Sequence, residues 1–344
     1  MEIKRLIRKN ILELKPYSSA RSEFKGDGSI FLDANENPFD NNFNRYPDPL
    51  QNEVKSKLSK IKGIKKDSIF LGNGSDEAID LLFRIFCTPS KDNVIAIAPT
   101  YGMYEVCANI NDVEYRSVNL DENFDIDVDS IIKEIDDNSK LLFLCSPNNP
   151  TGNLLDKDKI IKLLKIFTGI VVIDEAYIDF ANDNGFVPLL DKYENMVILQ
   201  TFSKAWGQAS VRLGMAFASA EIIDYFNKVK YPYNINILTQ RHITNVLESE
   251  ESIEKQTIEI LSQRKYIIDA LDNLQIIEKV FPSDSNFVLA KVTEANKVYK
   301  YLVEKGIIVR NRSKIVLCDN CIRFTIGTED ENKNLILALS EYIL

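Results

Sequence analysis

The amino-acid sequence predicts an α/β fold: a three-layer large domain with a mainly parallel seven-stranded sheet, plus a smaller α+β domain at the C-terminal end. Two observations predict the large domain. Short, continuously apolar segments recur along the chain, and helical patterns separate them, as in parallel sheets that are covered on both faces. A third observation predicts the smaller domain, because a long helical pattern near the end is followed by separated strand-like segments.

We expect the chain to divide into three parts. Residues 1–40 form an N-terminal arm that joins part of the small domain, residues 41–236 form the large domain, and residues 237–344 form the small C-terminal domain. The arm contains SIFLDANENPF, in which proline and asparagine disfavour a long regular element.

The elements of the large domain follow from the alternation of apolar and helical patterns. Its seven strands are predicted in SIFL, VIAIA, VEYRSV, LLFLC, GIVVI, MVILQT and VRLGMAFA. Its helices are predicted over residues 50–61, 76–86, 101–109, 128–135 and 157–167. The small domain is predicted to contain a helix over residues 239–274, strand-like KVFPSDSNFVLAKV, a helix over 295–304, then GIIVRN, CIRFTIGT and a last helix.

Composition restricts the class of protein. The formal charge of −9 disfavours a large basic face for nucleic acid or anionic lipid, but it leaves room for a local anion pocket. No segment approaches the ~20 apolar residues of a membrane span, and the start of the chain has no signal-like apolar run. We therefore expect a cytoplasmic protein that binds neither membrane nor nucleic acid.

Cysteine and histidine usage restricts the chemistry. The five cysteines are irregularly spaced, which indicates reduced thiols, and the pair in CDNC is interpreted as structural. The only histidine, His242, falls in the predicted long helix, which disfavours Ser-His-Asp, Cys-His and multi-histidine metal sites. No metal is expected.

Four polar loops carry the candidate chemistry. Lys204 lies in TFSKAWG, just after the predicted strand MVILQT, where a lysine can act as a covalent nucleophile. The other loops are SPNNPTG, DEAY and GNGSDE, each following an apolar segment. Because ligands of open α/β sheets collect at the carboxyl ends of the strands, we expect these loops to form one site.

The individual loops suggest an anion site and a cation site. GNGSDE opens a helix, so its free backbone N–H groups form a phosphate cradle, although a plain Ser/Asp helix cap is the alternative. Asp174 ends a buried strand and needs a cationic partner, either a protonated cofactor ring nitrogen or a structural arginine. Arg212, expected on the strand VRLGMAFA beside Gly214 and Ala216, suggests an anion that approaches closely. A lysine, a phosphate site and a pyridinium partner together are what pyridoxal phosphate requires.

These motifs carry a resemblance to a known family. The chain resembles the fold-type-I pyridoxal-phosphate aminotransferases, and within them the histidinol-phosphate branch. CSPNNPTG, VVIDEAYIDF and TFSKAW are typical of the superfamily, whereas LDANENPF, RYPDP and APTYGMY narrow the resemblance to the branch. The similar segments also include RKNILELKPYSSAR, GNGSDE, GIIVRN and CIRFTIGT.

The resemblance implies a role for each matching residue. Lys204 would form a Schiff base with pyridoxal phosphate, Asp174 would pair with the ring nitrogen, Asn149 and Tyr177 would bond the ring oxygen, and Tyr101 would stack on the ring. The phosphate would be held by Gly74, Ser75, Asp76, Thr201, Ser203 and Arg212, with Tyr46 arriving from the neighbouring subunit of a homodimer. Substrate would be bound by Arg323, Arg310, Tyr17, Asn35 and Tyr101. One segment departs from the pattern, since AWGQASVR replaces a sequence close to A-F-x-L-A-G-L-R.

The implied reaction is a ping-pong transamination of L-histidinol phosphate with 2-oxoglutarate, giving imidazole acetol phosphate and L-glutamate. An aromatic amino-acid aminotransferase and an amino-acid-phosphate decarboxylase of the same fold are the alternatives within the cofactor class. A non-catalytic ligand-sensing regulator would add a basic DNA-binding module, for which the arm is too short. A nicotinamide dehydrogenase is disfavoured because the G-x-G-x-x-G pattern is broken at Glu77.

Overall fold

The larger of two β-sheets has seven strands in the order β1-β7-β6-β5-β4-β2-β3. The strands are β1 Ile69–Asn73, β2 Asn93–Ala98, β3 Glu114–Asn119, β4 Ser139–Cys145, β5 Ile170–Asp174, β6 Met196–Thr201 and β7 Leu213–Phe217. All neighbouring pairs are parallel except the two made by β7, which runs antiparallel to β1 and to β6. The computed structural model, which describes residues 3–17 and 30–342, thus confirms the predicted mainly parallel seven-stranded sheet.

Helices cover both faces of this sheet. In chain order the first helices are α1 Lys9–Leu12, α2 Asn52–Lys62, α3 Gly74–Phe86, α4 Met103–Ile110, α5 Val128–Glu134, α6 Lys157–Ile166 and α7 Ala220–Val229. Apolar side chains of α2, α5 and α6 pack on one face, and those of α3, α4 and α7 pack on the other. Successive strand residues alternate between the two cores, for example Val197 and Ile198, which explains the continuously apolar strand sequences.

The first turn of α3 lies directly against β7. A Cβ on Gly214 would stand only 2.1 Å from the backbone nitrogen of Ser75, so this close approach requires glycine. The small residues of β7 therefore face a helix backbone, and the expectation that they make room for an anion was wrong. Arg212 was also expected within the strand, but it precedes β7 in a left-handed conformation, with φ 56° and ψ 42°.

The predicted single helix over residues 239–274 is two helices, α8 Ile237–Val246 and α9 Glu250–Leu271. No glycine or proline marks the break. Ile243 of α8 and Ile253 at the start of α9 pack against the same core of the large sheet, and α9 then reaches the core of the smaller sheet at Ile267. The interruption therefore falls within the large-sheet core, and α9 connects the two cores.

The smaller sheet is antiparallel and has the order β10-β11-β9-β8. Its elements are β8 Ile277–Val280, β9 Phe287–Val292, β10 Arg310–Asn311 and β11 Cys321–Thr325, with α10 Ala295–Glu304 and α11 Glu329–Ser340. Ile322 and Phe324 of β11 pack with α9, α10 and α11 on one face. Arg323, between them in sequence, lies on the opposite face.

The predicted arm of residues 1–40 falls within the described residues only at 3–17 and 30–40. Ile3, Ile7 and Ile11 are buried among side chains of α3 and α7, and the backbone N–H of Arg8 donates to the carbonyl of Ile85 at 3.0 Å. The proposed divisions at residues 40 and 236 stay a prediction. Over 3–17 and 30–342, no helix combines the length and apolar character of a membrane span.

Candidate active site

The four polar loops meet in one cavity, which we call the central cavity. It lies where β4, β5 and β6 end, beside the first turn of α3. Eleven of the predicted site residues line it: Gly74, Ser75, Asp76, Tyr101, Asn149, Asp174, Tyr177, Thr201, Ser203, Lys204 and Arg212. Cys145 and Ala176 line it as well and were not expected from the sequence.

Lys204 stands in the tight turn that follows β6. Its Nζ lies 5.4 Å from the centroid of the Tyr177 ring, and its side chain keeps contact with solvent through the cavity. Burial by the surrounding protein, followed by the charge of Arg323, lowers the pKa of Lys204. A lysine with a lowered pKa is neutral more often, so a larger fraction of it is available to act as nucleophile and base.

The atypical segment after Lys204 has a structural explanation. Trp206 is buried and packs on Phe202 with a centroid distance of 5.2 Å. Gln208 holds the segment from the other side, because its Oε1 lies 2.7 Å from Nε2 of His242 on α8. The turn that presents Lys204 is thus anchored on both sides, and His242 has a structural partner outside the cavity.

Asp174 supplies a buried carboxylate at the end of β5. Its Oδ2 accepts a 2.6 Å hydrogen bond from the hydroxyl of Tyr104, and its Oδ1 accepts one from the backbone of Ala176 at 3.1 Å. Burial raises the pKa of Asp174 to about 6, and the hydrogen bond from Tyr104 opposes that shift. No Lys or Arg in the described ranges forms a salt bridge with it, so the carboxylate is ready to pair with a cationic ligand.

The opposite side of the cavity is built to receive an anion. Gly74, with φ +71°, opens α3, and a Cβ there would lie 2.8 Å from Nη2 of Arg212. Backbone N–H groups at the start of a helix, the hydroxyls of Thr201 and Ser203, and a guanidinium all favour a bound phosphate. The Asp76 side chain plays a different part, because it accepts from the Tyr101 hydroxyl at 3.0 Å and stands 3.5 Å from Arg212.

Arg323 of β11 connects the smaller sheet with the site. Its Nη1 donates to Oδ1 of Asn149, and its guanidinium lies 4.8 Å above the ring of Phe287. Tyr177 packs edge-on against the same Phe287 ring at 5.1 Å. Arg310 stands opposite Arg323 in the β10–β11 ladder.

Five predicted residues do not line the central cavity of the single chain: Arg323 and Arg310 on the smaller sheet, and three others. Tyr17 is 72% exposed, Asn35 is exposed with φ 54°, and Tyr46 is half-exposed and stacks on Tyr233 at 4.4 Å. Their assignment to substrate and to a neighbouring subunit therefore stays a prediction.

Sequence reasoning missed Tyr104, which contacts Asp174 directly. The hydroxyl is fully buried and the ring stacks on Phe143 at 4.6 Å. A signal was present, because Tyr101 and Tyr104 are three residues apart in the predicted helix over residues 101–109, which puts them on one face. In the structure Tyr101 precedes the helix, and the two rings meet edge-on at 5.6 Å. Over the described ranges no group of three or more His, Cys, Asp and Glu side chains forms a metal site.

Comparison with known proteins identifies the family. Residues 31–339 match the family described as Aminotransferase class I and II. The chain belongs to this family. The aminotransferase is 56% identical to a histidinol-phosphate aminotransferase of Bacteroides thetaiotaomicron, with 99% of each chain covered, and 54% identical to that of Cytophaga hutchinsonii, with 98% covered. The crystal structure of the histidinol-phosphate aminotransferase from Clostridium acetobutylicum aligns with a TM-score of 0.80 at 30% identity, covering 87% of this chain and 90% of that one. The aminotransferase thus falls in the histidinol-phosphate branch of the family.

Proposed function

We propose that the aminotransferase moves the amino group of L-histidinol phosphate to 2-oxoglutarate, giving imidazole acetol phosphate and L-glutamate, with pyridoxal phosphate as cofactor. The observation that carries the proposal is the juxtaposition of Lys204, Asp174 and the Arg323–Asn149 pair at one cavity. The high identity to relatives of that name supports the choice of substrate.

The donor set of the central cavity fits pyridoxal phosphate. Asp174 is a buried carboxylate that lacks a cation, and the first turn of α3 with Arg212 forms a cradle that a Cβ on Gly74 would fill. We assign the phosphate to the backbone N–H groups of Ser75 and Asp76 and to Thr201, Ser203 and Arg212. The N–H of Gly74 donates to the carbonyl of Arg212 at 2.8 Å, so Gly74 shapes the cradle. The ring would lie between Tyr101 and the neighbouring aromatic and amide groups, Tyr177 and Asn149.

When bound, the cofactor supplies an electron-withdrawing ring that stabilises negative charge at the carbon bearing the substrate amine. Asp174, as a carboxylate, would hold a proton on the ring nitrogen. We assign proton transfer at the substrate Cα to Nζ of Lys204, because burial raises its neutral fraction. Because Arg323 binds the Asn149 oxygen, the two N–H groups of that amide are left for the cofactor.

Arg323 would receive the anionic end of both substrates. A planar guanidinium binds a phosphate or a carboxylate through paired hydrogen bonds, which suits a ping-pong reaction at a single site. We further propose a cytoplasmic homodimer in which Tyr46 reaches the neighbouring site, with Tyr17 and Asn35 near the substrate. The exposed Tyr46 and Tyr17 support this arrangement.

The decisive experiment is the absorbance change of the purified holoenzyme on adding L-histidinol phosphate alone. A half-reaction should convert the cofactor spectrum to its aminated form, and 2-oxoglutarate should then restore it. Phenylalanine and threonine phosphate serve as competing substrates in parallel assays. A larger response to phenylalanine, or carbon dioxide release from threonine phosphate, would replace the proposal with an aromatic aminotransferase or a decarboxylase.

A further inference from the structure

Three arginines share one face of the smaller sheet. Arg310 is paired with Arg323 across β10 and β11, and the N–H of Arg312 continues that ladder by donating to the carbonyl of Cys321 at 2.8 Å. Residues two apart in a ladder point to the same side, so Arg312 lies with Arg310. The intervening Asn311 faces away, and its Nδ2 donates to Asn296 on α10 at 2.8 Å.

Arg312 lies close enough to the central cavity to act on one of its lining residues. Burial raises the pKa of the Tyr177 hydroxyl, and the positive charges of Arg323 and Arg312 oppose that shift. The side chain of Arg312 is half-buried, and its Nε is buried without any hydrogen-bond partner. A buried guanidinium N–H that lacks an acceptor costs free energy unless a ligand supplies one.

The arginine cluster also lacks counter-charge. Within residues 3–17 and 30–342, none of Arg310, Arg312 and Arg323 forms a salt bridge with a carboxylate, although Arg116 and Arg212 elsewhere do. Burial, followed by the charges of Arg323 and Arg310, lowers the pKa of Arg312 to about 10. Guanidinium groups held together without an acid are stabilised by an anion, and more so by a dianion than by a monoanion.

Arg323 and Arg312 differ in the contacts that their side chains already make. The guanidinium of Arg323 already contacts Asn149 through Nη1 and lies over Phe287, although its Nε, like that of Arg312, is buried without a hydrogen-bond partner. The backbone of Arg312 supports the following turn, since its carbonyl accepts from the N–H of Ile315 at 2.8 Å, but its side chain makes no such bond. Replacing the side chain therefore leaves the turn intact.

We propose that Arg312 is a specificity-determining residue that binds the phosphate group of the amino substrate and favours it over the carboxylate of the second substrate. The inference rests on the proposed function for the identity of the substrate. The anion site itself rests on the arginine geometry. A hydrogen bond to a charged group supports an effect of about 10- to 100-fold on phosphate binding.

The test compares Arg312→Gln and Arg312→Lys with Lys314→Gln, which removes the same charge from an exposed side chain two residues further on. Calorimetric titration of each holoenzyme with inorganic phosphate and with acetate gives the dissociation constants, and steady-state assays give KM and kcat for both substrates. R312Q should weaken phosphate binding and raise KM for L-histidinol phosphate about 10- to 100-fold, while KM for 2-oxoglutarate changes by less than about 3-fold. R312K should show intermediate values of the phosphate dissociation constant and of KM, because a compact ammonium charge replaces the planar guanidinium.

Unchanged phosphate binding in R312Q would overturn the proposal, as would equal losses for both substrates or an equal loss in K314Q. Failure of the proposed function would give a different result from failure of the Arg312 proposal. If the wild-type spectrum ignores L-histidinol phosphate while phosphate binding still depends on Arg312, the anion site stands and the substrate assignment falls.

Discussion

The cofactor side and the substrate side of the central cavity differ in how completely one chain builds them. On the cofactor side the key side chains have partners in the chain: Asp174 accepts from Tyr104, and Arg212 stands beside Asp76. On the substrate side the arginines of β10 and β11 lack an acid within the described ranges, and Tyr17 is exposed. The first side is organised within the chain, whereas we expect the second to be completed by ligand.

This difference follows from where the residues come from. The cofactor side is built on strand ends of a sheet whose two faces are fully covered, so its geometry is fixed by packing. The substrate side, as we propose it, combines the edge of the smaller sheet with the N-terminal segment that carries Tyr17 and Asn35. We therefore expect substitutions on the cofactor side to affect both half-reactions equally, and those on the substrate side to separate binding from chemistry.

The largest effect is expected for Lys204→Ala. Lys204 is the one lysine among the described residues that line the central cavity. Losing it should lower turnover by at least about 10³-fold with either substrate, because it removes both nucleophile and base. Turnover and the cofactor absorbance of the purified variant measure this loss. Lys192→Ala, at an exposed position, is the control. Near-normal turnover in K204A would remove Lys204 from the chemistry.

Asp174→Asn should lower kcat about 10²- to 10³-fold, because the ring nitrogen loses its anionic partner. Stability gives a second measurement. The folded pKa of Asp174, about 6, exceeds its ordinary 3.8, so the folded cofactor-free protein binds more protons than the unfolded chain between these values. Its free energy of unfolding should therefore fall by about 3 kcal/mol as pH rises through this window.

D174N should lack that part of the pH dependence in chemical denaturation. The matched variant is Glu175→Gln, since Glu175 is the adjacent buried carboxylate and burial raises its pKa to about 7. Glu175 accepts from Gln200 at 2.9 Å and lies outside the central cavity, so E175Q should retain turnover. Equal loss of turnover in both variants would point to folding and not to a role at the ring nitrogen.

On the substrate side, Arg323→Ala should lower kcat/KM about 10- to 100-fold for both substrates, mainly through KM. The reason is that Arg323 serves both anions, in contrast to the selective effect expected for Arg312. Arg116→Ala, a half-buried arginine paired with Glu114 and Asp136 on the far edge of the sheet, is the control. An R323A variant with normal KM values would exclude the anchoring role.

The sequence allowed the cofactor side to be predicted better than the substrate side. Lys204, Asp174 and Gly74 follow apolar strands that are recognisable locally, and the parallel-sheet rule brings strand ends together. Tyr104 was missed because its partner is 70 positions away, and only the packed sheet brings them together. Arg212 was misplaced because strand alternation continues through it in the sequence, while the backbone turns left-handed there.

Arg312 shows why the rest escaped prediction. Its importance depends on the pairing of β10 with β11, which puts it on the face of Arg323, and β10 is only two residues long. A short edge strand has no periodicity from which the face occupied by each side chain can be inferred. The break before α9 escaped for a related reason, since no helix-breaking residue marks it in the sequence.

The smallest effect is expected for Tyr104→Phe, which tests how far the cofactor side is preorganised. The ring stacking on Phe143 is retained, so the variant should fold, but Asp174 loses its 2.6 Å donor. Losing that bond raises the pKa of Asp174 above about 6, so less carboxylate remains near neutral pH. The acid limb of the kcat profile should move to higher pH, with about 10-fold less activity at its original position.

Tyr115→Phe, which alters a partly buried tyrosine on β3, should leave the profile unchanged. An unmoved acid limb in Y104F would mean that bound cofactor alone sets the ionisation of Asp174, and the cofactor side would then depend on its ligand as the substrate side does.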